Sequence, residues 1–510
     1  MEDVKTVKTV KVKKDTRSIF QKVGFYMSIL YIALTGLFLM QMFKLNVLPN
    51  KYSIIVAVIL ALLALALTAL QIGRRVNKVN RVLGKVLIVI LSCALGFGNY
   101  LLYSAGETFN KLTKEHVDTT VVSVVVMKDS EVEELSQLNG ELIGLLSIGD
   151  LEKQTNALTQ LEEDLGSEVT YLEYDSYEAY GNALYNGEVT AILVNEGSRG
   201  LFEDFHPEFD EETRVVKEYV YEEVVQSIVK DVNVSEDVFN VYISGIDTYG
   251  TMSTVSRSDV NMIVTINPDT HQILMTGIPR DFYIPQVCQG NQSDKLTHTG
   301  LYGVDCTVQS MENYTGLEIN YYARVNFSSV VDIVDALGGI SVWSDVAFVA
   351  DAGGFSYVAG ENYLNGAETL GFVRERHAFG DGDRERSRNQ MKVVEAMINK
   401  AISPAIITNF TGIMDAVAGS FQTNMPQEDI TKFVKDQIES MEGWDIMQIQ
   451  VNGTGQSLYS PANGGNAYMM VPNVDIVNSA VALIEKMQTG VEITQADIDA
   501  HNAVYNNGGY

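Results

Sequence analysis

Three long apolar stretches near the start of the chain constrain its fold most strongly. They cover residues 24–43, 53–72 and 86–102, and none contains a charged side chain. Each is close to the roughly 20 residues that a helix needs to cross a bilayer. A cleaved signal peptide would be one short apolar run, so three long runs predict a bundle of three permanent transmembrane helices over residues 24–103.

Basic residues are distributed unevenly around these stretches, and this predicts their orientation. Seven Lys or Arg lie in residues 1–23 and five lie between the second and third stretches, whereas only two lie between the first and second. Because excess Lys and Arg mark the cytoplasmic side, residues 1–23 are expected to form a cytoplasmic basic tail. A multi-pass protein of the cell membrane is expected, with everything after about Tyr103 outside the cell.

The chain beyond the apolar stretches is strongly acidic, which excludes one class of function. The first 100 residues contain 14 basic and 3 acidic residues, whereas the rest contains 22 basic and 62 acidic residues. Nucleic-acid binding depends on Lys and Arg that neutralise phosphates. We therefore expect no nucleic-acid partner, and an anionic ligand would need a local cluster of arginines.

The exported part divides into two predicted α/β domains. Over residues 110–225, β-branched runs alternate with amphipathic segments, which predicts an accessory domain with a mostly parallel sheet. Within it we expect a helix at residues 130–140 and a connector at residues 203–223, which are rich in acidic side chains. No cluster of ligand-type residues is evident there, so a scaffold or interaction module is expected. Residues 235–505 are expected to form the second domain.

Three apolar runs open this second domain and predict an antiparallel arrangement. They cover residues 238–246, 260–266 and 272–278, and a turn signal at residues 267–269 joins the last two into a hairpin. If the first two also pair antiparallel, the end of the first strand, the start of the second and the end of the third lie at one edge of the sheet.

Carboxylates and guanidiniums converge at that predicted edge. Charged side chains at one strand end are, taken alone, typical of solvated surface, but charged side chains at three strand ends of one edge indicate a candidate site. The residues concerned are Asp247, Arg257, Asp259, Arg280 and Asp281.

A second polar cluster, over residues 364–390, contains an unusual number of arginines for so acidic a region. Arg374 and Arg376 flank Glu375, so an extended segment would direct both guanidiniums to the same side. A turn is expected next, followed by a helix on which Arg386 and Gln390 share a face. Guanidiniums are forked, permanently charged donors that suit phosphate oxygens. The alternative is a solvated loop whose own acidic residues neutralise the arginines.

Two of the three cysteines lie in the exported part, where disulfides persist. Cys288 and Cys306 flank the loop next to the predicted edge, and a disulfide between them is expected to staple that loop; two separate thiols are the alternative. Cys93 lies in the third apolar stretch and is interpreted as an apolar side chain.

Seven short phrases lie in and between the two polar clusters: GID at 245–247, SRSD at 256–259, IPRDFY at 278–283, KLTH at 295–298, DALGGISV at 335–342, LNGAETLGFVRERH at 364–377 and DGDRERSRNQ at 381–390. In this order they resemble the LytR-CpsA-Psr family of cell-envelope phosphotransferases. Three spans followed by an accessory domain also look like the capsule-associated branch of that family. Asn389 departs from the pattern, because many members have an arginine before the glutamine.

The resemblance implies an α/β domain with a mixed central sheet and an apolar lipid cavity. It implies a membrane-anchored, Mg²⁺-dependent enzyme, with Mn²⁺ as a substitute, that moves a glycopolymer from a polyprenyl (pyro)phosphate carrier to peptidoglycan. In the capsule branch the polymer would be capsular polysaccharide, and capsule-synthesis proteins are expected as further partners. A polyprenyl pyrophosphate phosphatase or a non-catalytic lipid-phosphate sensor that regulates capsule synthesis would use the same arginines and remains an alternative.

The resemblance also implies roles for individual residues, carried over by motif. The metal ligands would be Asp247 and Asp259. The groups that hold the phosphates and lipid would be Arg257, Arg280, Lys295, Arg374, Arg376, Arg386 and Gln390. The catalytic set would be Arg257, Asp259, Arg280, Asp281, Arg374 and Arg376. The general base stays open between Asp259 and Asp281.

Overall fold

The computed structural model describes residues 19–73, 75–112, 116–225, 229–246, 254–380, 382–403, 416 and 421–507. Asp247, at the predicted metal site, and most of the helix expected soon after residue 403 lie outside the described residues. The chain forms two compact units, Met1–Gly106 and Glu107–Tyr510.

Among the described residues of the first unit, three helices are long and apolar enough to cross a membrane, and the third extends a few residues beyond Gly106. They are α1 (Ile19–Leu45), α2 (Asn50–Ile72) and α3 (Lys78–Leu112). A small core that includes Tyr31 and Ile88 joins them, while many of their other apolar side chains are exposed, as expected for surfaces that face lipid. The three predicted apolar helices are confirmed, whereas their passage through a membrane and their orientation stay predictions.

The described residues of the accessory region form a five-stranded sheet with three α-helices, the last of which is a single turn. The strand order is β3-β2-β4-β1-β5. Strand β2 is parallel to β3 and β4, but the long β1 is antiparallel to β4 and β5, so the expectation of a mostly parallel sheet was wrong for β1 and β5. The strands are β1 (His116–Met127), β2 (Leu142–Leu146), β3 (Thr170–Tyr174), β4 (Ala191–Asn195) and β5 (Thr213–Val225), and the helices are α4 (Leu151–Leu165), α5 (Tyr177–Tyr185) and α6 (Phe209–Glu212).

Two predictions about local structure in this region were wrong. Half of the expected connector is strand β5, and Tyr219 of this strand is buried in the core. Strand β5 lies at the edge of the sheet, where charged side chains are common, so its glutamates do not indicate a loop. The helix expected at residues 130–140 is a single 3₁₀ turn, Leu135–Leu138. Such a short segment cannot offset the cost of nucleating an α-helix, and Gly140, with φ of 85°, ends it.

The second α/β region is organised around a six-stranded mixed sheet in the order β16-β11-β6-β7-β8-β17. Strands β6, β7 and β8 are successive antiparallel neighbours, so the predicted hairpin and its neighbouring pairing are confirmed. Strand β11 is parallel to β6, and β17 is parallel to β8. The strands are β6 (Phe239–Ile246), β7 (Ser258–Asn267), β8 (Gln272–Ile278), β11 (Tyr321–Asn326), β16 (Phe421–Thr423) and β17 (Asp445–Gln450).

Helices cover both faces of this sheet because alternate residues of its central strands point to opposite sides. On one face Ile263 belongs to a core with Ile484 of α12. On the other face Met262 packs in a core with Met391 of α10. The helices are α7 (Val304–Thr315), α8 (Phe327–Ala336), α9 (Gly366–Arg374), α10 (Asp383–Ala401), α11 (Gln427–Ser440), α12 (Val474–Gln488) and α13 (Gln495–Asn507).

Among the described residues, four two-stranded pairs lie outside the main sheet. Strand β9 pairs with β10, β12 with β15, β13 with β14, and β18 with β19. Their bounds are β9 (Tyr283–Gln286), β10 (Gln292–Lys295), β12 (Ile340–Ser344), β13 (Phe348–Val349), β14 (Ser356–Tyr357), β15 (Gly360–Leu364), β18 (Gly453–Ser460) and β19 (Gly465–Pro472).

A disulfide joins Cys288, just after β9, to Cys306 in α7. Its two cysteines are 18 residues apart, so we expect its loss to lower the free energy of unfolding by about 3 kcal/mol, because the bond restricts the unfolded chain. Thermal unfolding of the Cys288→Ser protein measures this effect, with Cys93→Ser in α3 as the matched control. Equal melting temperatures for the two variants would contradict the expectation.

Candidate active site

A cavity of about 540 Å³ opens beside the main sheet, and α8 and α10 form much of its wall. Most of its lining is apolar, including Val330 and Ile333 of α8 and Val325 of β11. At the cavity's polar part, carboxylates and guanidiniums from β7, α9, α10 and neighbouring loops approach one another.

Helix α10 shows how the sequence separates the two parts of the cavity. Arg386, Gln390, Val393, Met397 and Ala401 recur at intervals of three or four residues, share one helix face and all line the cavity. The first of them are polar and the last are apolar. Arg386 and Ala401 lie about 22 Å apart along the helix axis, so the cavity changes from charged to apolar over that length.

The Arg280–Asp259 ion pair forms the centre of the polar part. Nη1 of Arg280 lies 2.8 Å from Oδ2 of Asp259, and both side chains are largely buried. The hydroxyl of Thr297 donates to the other carboxylate oxygen, Oδ1, at 2.7 Å. The backbone N–H of Thr297 also donates to the carbonyl of Arg280 at 2.8 Å, which fixes the two segments together.

Asp259 is held in its ionised form by the charges around it. Burial on its own would raise the pKa of this carboxyl group. The guanidiniums of Arg280, Arg257 and Arg386 outweigh that effect and, with the hydrogen bond from Thr297, hold the pKa well below its usual value. The antiparallel pairing of β6, β7 and β8 brings Asp259 and Arg280 together at one edge, as the sequence predicts, whereas Arg386 approaches from α10.

Arg374 and Arg376 reach the cavity by a different route from the predicted one. Arg374 is the last residue of α9, not part of an extended segment, because Asn365 and Glu368 cap and initiate a helix there. Its guanidinium lies 4.4 Å from the centre of the Phe327 ring, a cation–π contact at the cavity wall. Arg376 also lines the cavity, so the two arginines do share a site.

Glu375, between these arginines, is buried rather than a solvated counter-ion. Its carboxylate accepts hydrogen bonds from the backbone N–H groups of Asp351, at 2.7 Å, and Ala378, at 2.8 Å. These bonds hold the loop that follows α9 and so fix the position of both flanking arginines.

The remaining residues of the second cluster divide between the cavity and other surfaces. Arg386 and Gln390 line the cavity, whereas Arg388 pairs with Glu385, its Nε lying 2.6 Å from Oε2. Asn389 is buried and is not among the described lining residues, so the departure from the family pattern falls outside the cavity wall.

Asp281 and Lys295 lie next to the polar part of the cavity, but neither is among the described residues that line it. Lys295 Nζ is 3.7 Å from Asp281 Oδ1, and both side chains are mostly buried. The two residues flank the backbone link between Arg280 and Thr297. Their placement suits a supporting role for the Arg280 segment.

The comparison with known proteins decides the family. The LytR_cpsA_psr family matches residues 209–484, more than half of the chain. The chain belongs to the LytR-CpsA-Psr family. The DNA polymerase processivity factor family also matches residues 78–194, but this match covers less than half of the chain and assigns no function.

Curated relatives within the LytR-CpsA-Psr family bear a transferase name. The polyisoprenyl-teichoic acid–peptidoglycan teichoic acid transferase TagU of Bacillus anthracis is 33% identical over 243 residues, covering 47% of this chain and 75% of TagU. TagU of Enterococcus faecalis is 33% identical over 239 residues, covering 46% of this chain and 77% of that protein.

Two solved structures are similar to about half of the chain. TagT bound to LI-WTA has 26% identity and a TM-score of 0.42, covering 52% of this chain and 95% of TagT. Bacillus subtilis TagU has 29% identity and a TM-score of 0.40, covering 51% of this chain and 99% of TagU. Both TM-scores are below 0.5.

The described residues fit only part of the metal site that the LytR-CpsA-Psr resemblance implies. Asp259 supplies an ionised carboxylate that faces the cavity, as Mg²⁺ requires. Among the described residues no group of three or more His, Cys, Asp or Glu side chains is placed to hold a metal ion. Mg²⁺ commonly uses one or two carboxylates together with phosphate oxygens and water, so the donor set is compatible with a metal that arrives with its substrate.

Several polar residues at this site were not predicted from the sequence, and Thr297 and Glu203 are two of them. Thr297 lies within the KLTH phrase, but its hydroxyl gave no signal of a bond to Asp259. Glu203 lines the cavity although it belongs to the accessory region, in the stretch interpreted as a connector. Only the packing of the accessory region against the second α/β region brings Glu203 to the site.

Proposed function

We propose that this chain binds a polyprenyl-pyrophosphate-linked glycopolymer and transfers the glycopolymer to peptidoglycan. The observation that carries the proposal is the single cavity that runs from an apolar wall to a cluster of arginines around Asp259. An apolar tail and an anionic headgroup, joined in one molecule, match that arrangement. Membership in the LytR-CpsA-Psr family makes the chain an enzyme, a glycopolymer–peptidoglycan transferase.

The apolar part of the cavity would hold the polyprenyl tail, and the arginines would hold the pyrophosphate. Arg257, Arg280, Arg374, Arg376 and Arg386 all border the cavity. Their positive charge would stabilise the phosphate oxygens as negative charge shifts during transfer, which is the main contribution that a protein makes to phosphoryl transfer.

The transfer would proceed by direct attack of a peptidoglycan hydroxyl on phosphorus. The hydroxyl oxygen bonds to the phosphorus that carries the glycopolymer, and the bond from that phosphorus to the bridging oxygen breaks. Polyprenyl phosphate leaves with the electron pair, and the hydroxyl proton passes to a base. The lowered pKa of Asp259 makes it a weak proton acceptor, which favours an electrostatic or metal-binding role for this residue.

Mg²⁺, with Mn²⁺ as a substitute, would bind at Asp259 and at Asp247, which lies outside the described residues. When bound, the ion would neutralise pyrophosphate charge and orient the phosphate oxygens. We further propose that α1–α3 anchor the chain in the cell membrane with the enzyme outside the cell, close to its lipid substrate. Capsular polysaccharide as the polymer, with capsule-synthesis proteins as partners, belongs to the same proposal.

Incubation with lipid-linked glycopolymer, peptidoglycan and Mg²⁺ tests the proposed function. The full-length protein in detergent is expected to produce polymer that is covalently attached to peptidoglycan. Release of free polymer phosphate would favour a polyprenyl pyrophosphate phosphatase, and tight lipid binding without turnover would favour a lipid-phosphate sensor.

Filling the apolar part of the cavity is expected to weaken binding of the lipid but not of its headgroup. Val330→Trp puts a large ring at the α8 wall and should lower the affinity for geranylgeranyl pyrophosphate at least tenfold. Calorimetry on the detergent-solubilised protein measures this affinity, and competition by inorganic pyrophosphate should be unchanged. Val349→Trp, at an exposed position outside the described lining, is the matched control. Equal lipid affinity for both variants would rule out a tail in this cavity.

A further inference from the structure

The accessory region holds the segment that carries Arg257. The backbone N–H of Val255 donates to the carbonyl of Thr119 in β1 at 3.0 Å, and Thr254 pairs with the same residue of β1 as an isolated parallel bridge. The segment just before Arg257 is thus an addition to the accessory sheet, although Arg257 itself borders the cavity of the other region.

A buried arginine strengthens this connection from the side of the main sheet. Arg324 of β11 is only 1% exposed, and its Nη2 donates to the carbonyl of Thr254 at 2.6 Å. Its Nη1 lies 3.4 Å from Oδ1 of Asp118 in β1. One side chain therefore contacts the accessory strand and the Arg257 segment together, and a buried ion pair of this kind restricts their relative movement.

The Arg257 side chain also contacts the accessory region directly. Its Nη1 donates to the carbonyl of Gly200 at 3.2 Å, in the 3₁₀ turn Glu196–Leu201 that follows β4. A Cβ atom at Gly200 would lie 2.4 Å from Nη2 of Arg257, so only glycine allows the guanidinium to take this position.

The turn that carries Gly200 is itself held firmly. Leu201 and Phe202 are buried in the accessory core, where the Phe202 ring stacks on Phe209 at 4.1 Å. Asp204 accepts a hydrogen bond of 3.3 Å from Nδ2 of Asn463, between β18 and β19. Between these anchored residues, Glu203 lines the cavity. The turn is fixed on both sides, as a positioning element requires.

We infer that the accessory region contributes to the active site, because its 3₁₀ turn at Glu196–Leu201, which carries Gly200, positions the Arg257 guanidinium for the pyrophosphate. This inference rests on the proposed function and adds a role that the sequence did not indicate for the accessory region. Gly200 acts through Arg257 and is a positioning residue. The Gly200 carbonyl restricts the Arg257 guanidinium to one orientation. The side chain therefore loses less conformational entropy when the phosphates bind.

The Gly200→Ala protein tests the inference. The added methyl group meets the far end of a flexible side chain, and Gly200 does not have a left-handed φ, so folding should be unaffected and Arg257 should move. We expect a melting temperature equal to that of the wild type and a fall in kcat/KM for glycopolymer transfer of about 10- to 100-fold. Gly443→Ala, where the new methyl group meets open space, is the matched control and should behave as the wild type.

A double-mutant cycle separates positioning from general damage. In an Arg257→Ala background, Gly200→Ala should change transfer less than twofold, because the residue through which it acts is gone. Losses that multiply, or wild-type transfer by the Gly200→Ala protein, would overturn the inference. If the wild-type protein transfers no polymer, the proposed function fails. The same double-mutant cycle is then measured with the affinity for geranylgeranyl pyrophosphate as the readout. Equal affinity of the Gly200→Ala and wild-type proteins would overturn the inference.

Discussion

Replacing Arg280 with alanine is expected to lower glycopolymer transfer about 1,000-fold while the protein remains folded. Arginines that stabilise transferring phosphoryl groups contribute on the order of 10³-fold or more to the rate. Arg280 contacts Asp259 at 2.8 Å and borders the cavity, so its removal takes away a donor to phosphate and the main partner of that carboxylate. Transfer by purified protein measures the effect, and thermal unfolding measures folding.

The stability of the Arg280→Ala protein follows from the neighbouring charges. Arg257 and Arg386 also favour the ionised form of Asp259, and Thr297 still donates to it. The carboxylate therefore keeps partners, and the fold should persist. Arg388→Ala is the matched control, because Arg388 pairs with Glu385 and is not among the described residues that line the cavity. Full transfer activity in the Arg280→Ala protein would remove the phosphate-binding role.

Replacing Asp259 with asparagine should have the second large effect, a loss of transfer of at least 100-fold. The amide keeps the shape and a hydrogen-bond acceptor but removes the negative charge that balances three guanidiniums and would bind the metal. Without it, the dependence of the residual rate on Mg²⁺ concentration should change as well, because a charged ligand is missing.

The Asp259→Asn experiment compares the rate of transfer at increasing Mg²⁺ concentrations. Asp345→Asn is a suitable control, since Asp345 is exposed and pairs with Lys392 outside the described cavity lining. Binding of the lipid pyrophosphate is expected to persist in the Asp259→Asn protein, because the arginines remain. Unchanged transfer with an unchanged response to Mg²⁺ would show that Asp259 has neither role.

The parts of the fold that local patterns determine were predicted from the sequence. The apolar runs of the three N-terminal helices and of β6, β7 and β8 specify their elements, and the turn at residues 267–269 sets the hairpin. Antiparallel pairing then requires Asp259 and Arg280 to lie at one edge, where they form an ion pair. The family prediction is confirmed by the match over residues 209–484.

Features that depend on distant packing were not predicted. Strand β5 was predicted to be part of a connector because the acidic residues and Pro207 just before it indicate a loop. Its partner β1 lies about 100 residues earlier in sequence, so no local pattern indicates the pairing. The helix that ends at Arg374 depends on a cap at Asn365 rather than on strong helical periodicity. The contact between Gly200 and Arg257 joins two regions and has no local sequence signal.

The position of a radioactive phosphate tests the central claim most directly. Full-length protein is given peptidoglycan, Mg²⁺ and a lipid-linked glycopolymer in which only the phosphate attached to the sugar carries ³²P. If the arginine cluster directs attack on that phosphorus, the label appears in peptidoglycan, and unlabelled polyprenyl phosphate is released in equal amount. Label that remains with the lipid, or that is released into solution as free phosphorylated polymer, would contradict the account.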